Sequence, residues 1–320
     1  MSNIIDSDVQ SLSQILKVSV RQLYMLSNNQ HKHYTHISIK KSNGKIRDIY
    51  APNSFLKVVQ RKLLDNYLIR LEPSEYSYAY CKGISVADNA AVHIGKKKIL
   101  KLDISHFFDS IDYDMVYSAV RKLGLSVQAT TLIVNICTLN SLLPQGAPTS
   151  PHIANLVMRY FDERIGNLCR SQDIAYSRYC DDMTFSGDFN ENALTETVSH
   201  MLYRQGFSLN TQKTICVFNS QKQLVTGIVV NHKMQVSRNK RKKIRQQVYY
   251  CKKYGVCQSL SFSGIEISPE KYLHSLMGRI SFALQVNPDD TEMQEYFNDV
   301  KKLMREVLPI NNKPISSGHL

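Results

Sequence analysis

The sequence predicts an α+β chain in which an antiparallel sheet is backed by helices, and three observations carry that prediction. Residues 175–187 read as two extended runs around a tight turn, with Asp181 and Asp182 at the tip. A basic lead-in, Lys96-Lys97-Lys98, opens an apolar run that ends on Asp103. Around these lie segments of 3.6-residue apolar spacing, several opened by Ser, Asn or Asp and closed by Gly.

In chain order, residues 6–27 place Val9, Leu12, Ile15 and Leu16, then Val20, Leu23 and Met25, at helical spacing, so two short helices should meet near Ser19. Such pairs are packing elements more often than DNA-reading helix-turn-helices. Residues 36–50 predict a hairpin turning at Asn43-Gly44, with basic residues beside the turn. Asn53 or Ser54 caps a helix bearing Phe55, Leu56, Val59, Leu63, Leu64 and Leu68, which ends before Pro73; from there to His93 the chain reads as irregular. Beyond Asp103, Asp112 caps and Gly124 ends a helix that turns Val116, Ala119, Val120 and Leu123 inward. Ser150 as N-cap and Pro151 as first helical residue open another, whose stripe of Ile153, Leu156, Val157, Tyr160, Ile165 and Leu168 can pack beneath a sheet. From about Val236 the chain turns helical: Ser237 caps and Gly255 stops a basic helix, Ser268-Pro269 opens a second, and 293–307 suggests a third.

At 320 residues the chain can bury a large core and should divide into two or three subdomains. Charge breaks every apolar run, so neither a signal peptide nor a membrane span is expected, and the protein should be cytoplasmic. Seven cysteines without CxxC pairs argue against a disulfide framework and a structural zinc site. Lys and Arg number 40 against 27 Asp and Glu, a net +13, and 233–253 holds nine basic residues and no acid. An imbalance of that kind commonly tracks a polyanion, and nucleic acid is favoured over membrane because no long apolar stretch accompanies it. Tyr249, Tyr250 and Tyr254 either stack on bases or pack into a core.

An Asp-Asp pair at a hairpin tip is ordinarily a solvated turn. Asp103 changes that reading, because a carboxylate ending a buried strand needs a partner. If it lies beside the hairpin in one sheet, three carboxylates converge on a pocket for two magnesium ions, the arrangement used in phosphoryl and nucleotidyl transfer. Between the two acidic sites, the loop from Leu143 to Pro151 offers Gln145 as an uncharged partner for a nucleotide or template base and Gly146 as a point of close backbone approach.

Taken in order, these segments resemble reverse transcriptases. The strand ending at Asp103 with Phe107-Phe108, the Pro144-Gln145-Gly146 loop running to Ser150-Pro151, and the Tyr179-Cys180-Asp181-Asp182 box match three motifs of that family at compatible spacing. Asn89-Ala90-Ala91-Val92-His93 and Val225-Thr226-Gly227 resemble two further motifs of its bacterial retron branch. The resemblance covers nearly the whole chain. It implies a right-hand architecture: N-terminal helices and fingers over 1–97, a palm over 98–231 with a fingers insertion at about 113–147, and a helical thumb over 232–320.

It also implies roles. Asp103, Asp181 and Asp182 are catalytic and hold two magnesium ions, with the Ile104 carbonyl completing one shell. Lys40 and Arg47 grip the triphosphate, Phe108 is the steric gate that excludes a 2′-hydroxyl, and Lys213, with Gln145 and Gly146, completes the nucleotide site. Tyr179, Cys180, Asn89, His93, Val225, Thr226 and Gly227 are expected to face RNA or primer, as are Arg241, Lys242 and Arg245 of the basic helix. Cys180 stands where retron enzymes often carry alanine, and a thiol there is expected to be sensitive to oxidation.

The implied partners are deoxynucleoside triphosphates, a cognate structured non-coding RNA as template and 2′-hydroxyl primer, its branched DNA product, and a separate effector protein in antiphage defence. Two readings compete. A non-catalytic RNA-binding scaffold is disfavoured by the three aspartates and Gln145-Gly146, and a group II intron-type enzyme by a length that leaves no room for a maturase region.

Overall fold

The break predicted at Ser19 separates α1 (Ser7–Leu16) from α2 (Val20–Asn28) in the computed structural model, which describes residues 7–307 apart from 41–43, 45 and 265. Ser19 and Gln22 form a reciprocal capping box that fixes the start of α2. Leu12, Leu16, Leu23 and Leu26 are buried, while Ile15 and Met25 of the expected stripe are exposed. β1 (Tyr34–Lys40) and β2 (Ile46–Pro52) pair antiparallel from Tyr34↔Pro52 to Lys40↔Ile46. The turn expected at Asn43-Gly44 rests on Asn43, which lies outside the described residues. Asn53 caps α3 (Ser54–Asn66) by accepting from the Leu56 N–H. The stretch read as irregular contains α4 (Val86–Ala91), opened by a capping box between Ser85 and Asp88. Six residues are too few to display apolar periodicity, so that Ser-x-x-Asp pair is the signal the sequence offers.

β3 (Lys98–Asp103) is followed by α5 (Tyr113–Val120), which Asp112 caps and a 3₁₀ turn extends to left-handed Gly124. Then come α6 (Val127–Cys137), α7 (Ser150–Ser171), β4 (Ala175–Tyr179), β5 (Asp182–Gly187), α8 (Glu191–Tyr203) and β6 (Ile215–Phe218). The four strands form one antiparallel sheet in the order β4-β5-β3-β6. Ile99, Leu100, Leu102, Met183 and Phe185 of the two central strands are buried.

The start of α7 differs from expectation. Thr149 occupies the N-cap position without a side-chain cap bond, and Ser150 is already helical, with Pro151 still in the first turn where its missing N–H costs nothing. Tyr160 is 59% exposed, because Phe161 continues the inward row of Ile153, Val157 and Ile165 at four-residue steps.

The chain divides into two compact units, Met1–Gln221 and Lys222–Leu320. In the second unit, β7 (Leu224–Val225), β8 (Ile228–Val229) and β9 (Gln235–Val236) make a small antiparallel sheet. Thr226 and Gly227 link β7 to β8 with φ of 45° and 82°, the pair of positive values that a two-residue type I′ hairpin requires.

α9 (Arg238–Tyr254) runs from the Ser237 cap to Gly255 as predicted; α10 (Val256–Ser263), which the sequence reading did not anticipate, follows at once, then α11 (Pro269–Val286) from the Ser268 cap and α12 (Thr291–Val307). Ile244, Val248, Leu273, Leu276, Ile280 and Val300 form the core of this bundle.

The basic residues of α9 do not all face outward. Arg241 pairs with Asp290 and Glu292, Arg245 with Glu292 at 2.6 Å, and Lys252 with Asp299 at 2.7 Å. Arg241 and Arg245, expected to contact RNA, are thus spent on fixing α9 against the start of α12, whereas Lys242 is exposed. Asp290 is 7% exposed, so Arg241→Gln would strand a buried carboxylate and should cost about 3 kcal/mol. Lys242→Gln should cost less than about 0.5 kcal/mol, and urea unfolding followed by circular dichroism separates the two.

Candidate active site

The register of the central sheet builds the site. β3 and β5 pair so that Asp103 lies opposite Asp182, which also pairs with Tyr179 on β4. Asp181 sits in the intervening turn, made possible by Cys180 at φ 62°, and the Ile104 N–H donates to the Asp181 carbonyl at 3.0 Å, tying the end of β3 to that turn. Strand register thereby brings the backbone of the three aspartates to one sheet end.

Their charges are visible in their surroundings. Asp182 has its pKa pushed up to about 6, first by desolvation and then by the charges of Asp181 and Asp103, with Lys101 and Lys213 opposing. Asp103 is 4% exposed and has both carboxylate oxygens engaged, Oδ1 by Asn210 Nδ2 at 3.2 Å and Oδ2 by Lys213 Nζ at 2.7 Å. That bond to Asp103 raises the pKa of Lys213. The side chains do not stand as a ready-made cluster of three or more metal-ligating groups among the described residues; the Lys213 ammonium holds the place of a cation on Asp103. The donor set itself, three carboxylates that repel one another, is hard and anionic and suits a divalent ion such as magnesium.

The turn is held from below by a side chain that the sequence reading missed. Arg178, fully buried, donates to the Cys180 carbonyl at 2.8 Å and to Asn155 Oδ1 at 3.2 Å. Its Nε and Nη2 grip both oxygens of equally buried Asp162, which also accepts from the Tyr176 hydroxyl at 2.8 Å. Asn155 and Asp162 come from α7, seven residues apart on one face. The signal was present: two polar residues inside an apolar helical stripe, and a lone arginine in a strand otherwise small or aromatic.

Cys180 differs from expectation. Burial first, then the Asp181 charge, pushes its thiol up to about 12, and the Tyr80 hydroxyl lies 3.7 Å from the sulfur. A thiol held protonated at neutral pH is a poor target for oxidation, since the thiolate is the reactive form.

The remaining candidates sort by position. Gly146 has φ 130°, and a Cβ there would meet Ile49 Cγ2 at 2.7 Å and the Tyr50 carbonyl at 2.8 Å, so the glycine serves close packing of this loop on β2. The Tyr50 N–H donates to the Gln145 carbonyl at 2.8 Å, completing the join and leaving the Gln145 side chain partly exposed. Phe108 is half-buried at the start of a 3₁₀ turn, packed edge-on to Phe107, whose ring lies 6.0 Å from Phe207. Lys40 and Arg47 are exposed near the free end of the β1–β2 hairpin, without an ion-pair partner among the described residues.

Asn89, His93 and Val225 are corrections to the expected RNA-facing set. His93 is fully buried between Ser186 at 2.7 Å and Ser177 at 2.8 Å, and burial lowers its pKa to about 3, so it is a neutral clamp between β4 and β5. Asn89 is 1% exposed and Val225 0%, which leaves neither side chain free to meet a strand.

A sheet end carrying three carboxylates and braced by a helix is the kind of platform used by nucleotidyl-transferring polymerases. Residues 39–267 match the family model for reverse transcriptase (RNA-dependent DNA polymerase). The chain is 30% identical to the retron Ec86 reverse transcriptase of Escherichia coli over 76% of its length and 78% of the relative's. It is 27% identical to the Escherichia coli retron Ec83 enzyme over 85% and 88%, and 30% identical to the Myxococcus xanthus retron Mx65 enzyme over 68% and 56%. Among solved structures, a foamy viral protease-reverse transcriptase superposes with a TM-score of 0.46 at 15% identity, over 85% of this chain and 43% of the other. The chain belongs to the reverse transcriptase family, among the bacterial retron reverse transcriptases, and is an RNA-directed DNA polymerase.

Two expectations follow. Arg178→Met should cost about 3–5 kcal/mol by stranding Asp162, and adding Asp162→Leu should recover most of it; denaturant unfolding reads the difference, and primer extension should stay depressed in the double variant because the Cys180 carbonyl is no longer held. The raised pKa of Asp182 means that its ionisation opposes folding above pH of about 6 and has no effect once pH falls below its unfolded value, roughly 4. In metal-free buffer, Asp182→Asn should therefore raise the thermal midpoint at pH 7.5, with the gain vanishing towards pH 4.

Proposed function

We propose that this polymerase copies part of its own structured non-coding RNA into DNA, starting from the 2′-hydroxyl of an internal guanosine, and so yields branched, RNA-linked, multicopy single-stranded DNA. The observation that carries the catalytic part is the pairing of Asp103 with Asp182 beside the Asp181 turn. The retron part is supported by the likeness to retron enzymes across most of the chain and by the Asn89-to-His93 and Val225-to-Gly227 segments.

Asp103, Asp181 and Asp182, with the Ile104 carbonyl, would hold two magnesium ions, which when bound activate an attacking hydroxyl and neutralise charge on the leaving pyrophosphate. The protein's own contribution is placement. Arg178 and the Ile104 N–H fix the turn, and Lys213, which pairs with Asp103, would be available to the triphosphate if that carboxylate held a cation. Phe108 presents a ring edge against the sugar and rejects a 2′-hydroxyl by bulk. Lys40 and Arg47 neutralise triphosphate charge, Arg47 by a forked grip, and the Gln145 side chain meets the incoming nucleotide or template base. Tyr179 and Cys180 abut the primer end, and Thr226-Gly227 gives the RNA a backbone turn to approach. Lys242, the exposed member of the expected trio on α9, meets phosphate.

We place the enzyme in the cytoplasm, acting with a separate effector protein in antiphage defence; no described helix is long and apolar enough to cross a membrane. Expression with the native upstream DNA should yield a short branched DNA attached to RNA, and Asp181→Asn with Asp182→Asn should abolish it, a loss of at least about a thousandfold for electrostatic groups at the reacting phosphate. Product persisting in the double variant would sink the assignment of the carboxylates. An unbranched product would keep the polymerase and remove the 2′-hydroxyl primer.

A further inference from the structure

The α9–α10 surface carries a contiguous row of rings that no catalytic role absorbs. Tyr249, Tyr250, Tyr254 and Phe262 follow one another with centroids 5.8, 6.0 and 6.0 Å apart. They are 52%, 37%, 41% and 79% exposed, so the alternative of a core cluster, left open by the sequence, does not hold. Lys253 reaches into the row, its Nζ 5.5 Å from the Tyr249 ring and 5.1 Å from that of Tyr254.

Charge identifies the occupant. α9 contains no acidic residue, and its cations divide in two. Arg241, Arg245 and Lys252 are consumed by acids at the start and middle of α12. Arg238, Lys240, Lys242, Lys243 and Lys253 are exposed and have no acidic partner among the described residues. Lys242, Tyr249 and Lys253 recur at steps of seven and four, which places them on one side of the helix.

We propose that this row is a stacking platform for unpaired bases of an RNA strand, with Lys242, Lys243 and Lys253 receiving the flanking phosphates. It deepens the reading of the chain as an enzyme that holds a structured RNA, and it rests on that reading for the identity of the strand. Rings offer stacking to any base face, and ammonium groups alongside favour a polyanion over an apolar protein surface. Duplex RNA hides its base faces within the stack, so the platform selects loops, bulges and single strands.

The test uses the full chain, a labelled single-stranded RNA of mixed sequence and a blunt RNA duplex of equal length, titrated by fluorescence anisotropy at several salt concentrations. Tyr249→Ala with Tyr254→Ala and Phe262→Ala should weaken the single strand by about tenfold or more while duplex affinity stays within about twofold. Tyr249→Phe with Tyr254→Phe should retain affinity, because the ring and not the hydroxyl is used. Lys242→Gln with Lys243→Gln and Lys253→Gln should flatten the single-strand salt slope by about 2.

Equal losses for strand and duplex would overturn the platform, as would unchanged single-strand affinity, which would leave the row to a protein partner. If the triple alanine variant fails to fold by circular dichroism, Phe262→Ala alone, at the most exposed ring, decides the matter through a selective loss of about threefold or more. Primer extension by the parent protein on a generic RNA template is scored separately. Extension without strand-selective binding removes the platform alone, whereas selective binding without extension removes the proposed function alone.

Discussion

The site is governed by the crowding of like charge where β3 and β5 end. Strand register places Asp103 opposite Asp182 and leaves Asp181 in the adjoining turn, and no rotation of these side chains moves the backbone that brings them together. A fold that concentrates negative charge must offset it. Above the sheet end Lys213 and Asn210 occupy both oxygens of Asp103. Below it a buried guanidinium, neutralised by Asp162, is attached to the carbonyl of Cys180. The Asp182 carboxylate keeps a raised pKa, through desolvation first and then through the charges of Asp181 and Asp103. A cation entering the site therefore relieves a repulsion that the folded protein already carries.

Rigidity reaches the turn through α7. Gly146 lets the loop before this helix lie against β2 at a distance that excludes a side chain, and the Tyr50 N–H closes the contact on the Gln145 carbonyl. A few residues on, Asn155 and Asp162 project from the same helix to Arg178. The basic hairpin and the carboxylate-bearing turn thus share one rigid support, and the Gln145-Gly146 pair acts through backbone packing.

The sequence was most legible where a feature is local. Caps at Ser19, Asn53, Asp112, Ser237 and Ser268 set helix starts, because a cap is decided by its own neighbours. The carboxylates were legible because turn chemistry and an apolar strand announce themselves within a few residues. The long-range partners were harder to read. Ser177 and Ser186 claim His93 from 84 and 93 residues away, and Arg178 depends on side chains from another element. Charge density likewise registers at α9, but which cations remain for a ligand depends on Asp290, Glu292 and Asp299, some fifty positions later.

His93 and Arg178 show two ways of burying polarity beside the same sheet, and the difference bears on what each can do. The imidazole lies between two hydroxyls, with no acid to hold a proton on it, so burial keeps it neutral and it acts as a spacer of fixed shape. The guanidinium cannot shed its proton and must bring an anion inside with it, which makes the Asp162 pair costly to assemble and costlier to break. That cost yields something a neutral spacer does not provide: the remaining donors of a planar, always-charged group, fixed in direction, with one aimed at the Cys180 carbonyl. A turn strained by a positive φ at Cys180 and loaded with two carboxylates is the place where a donor of fixed direction has the most to hold.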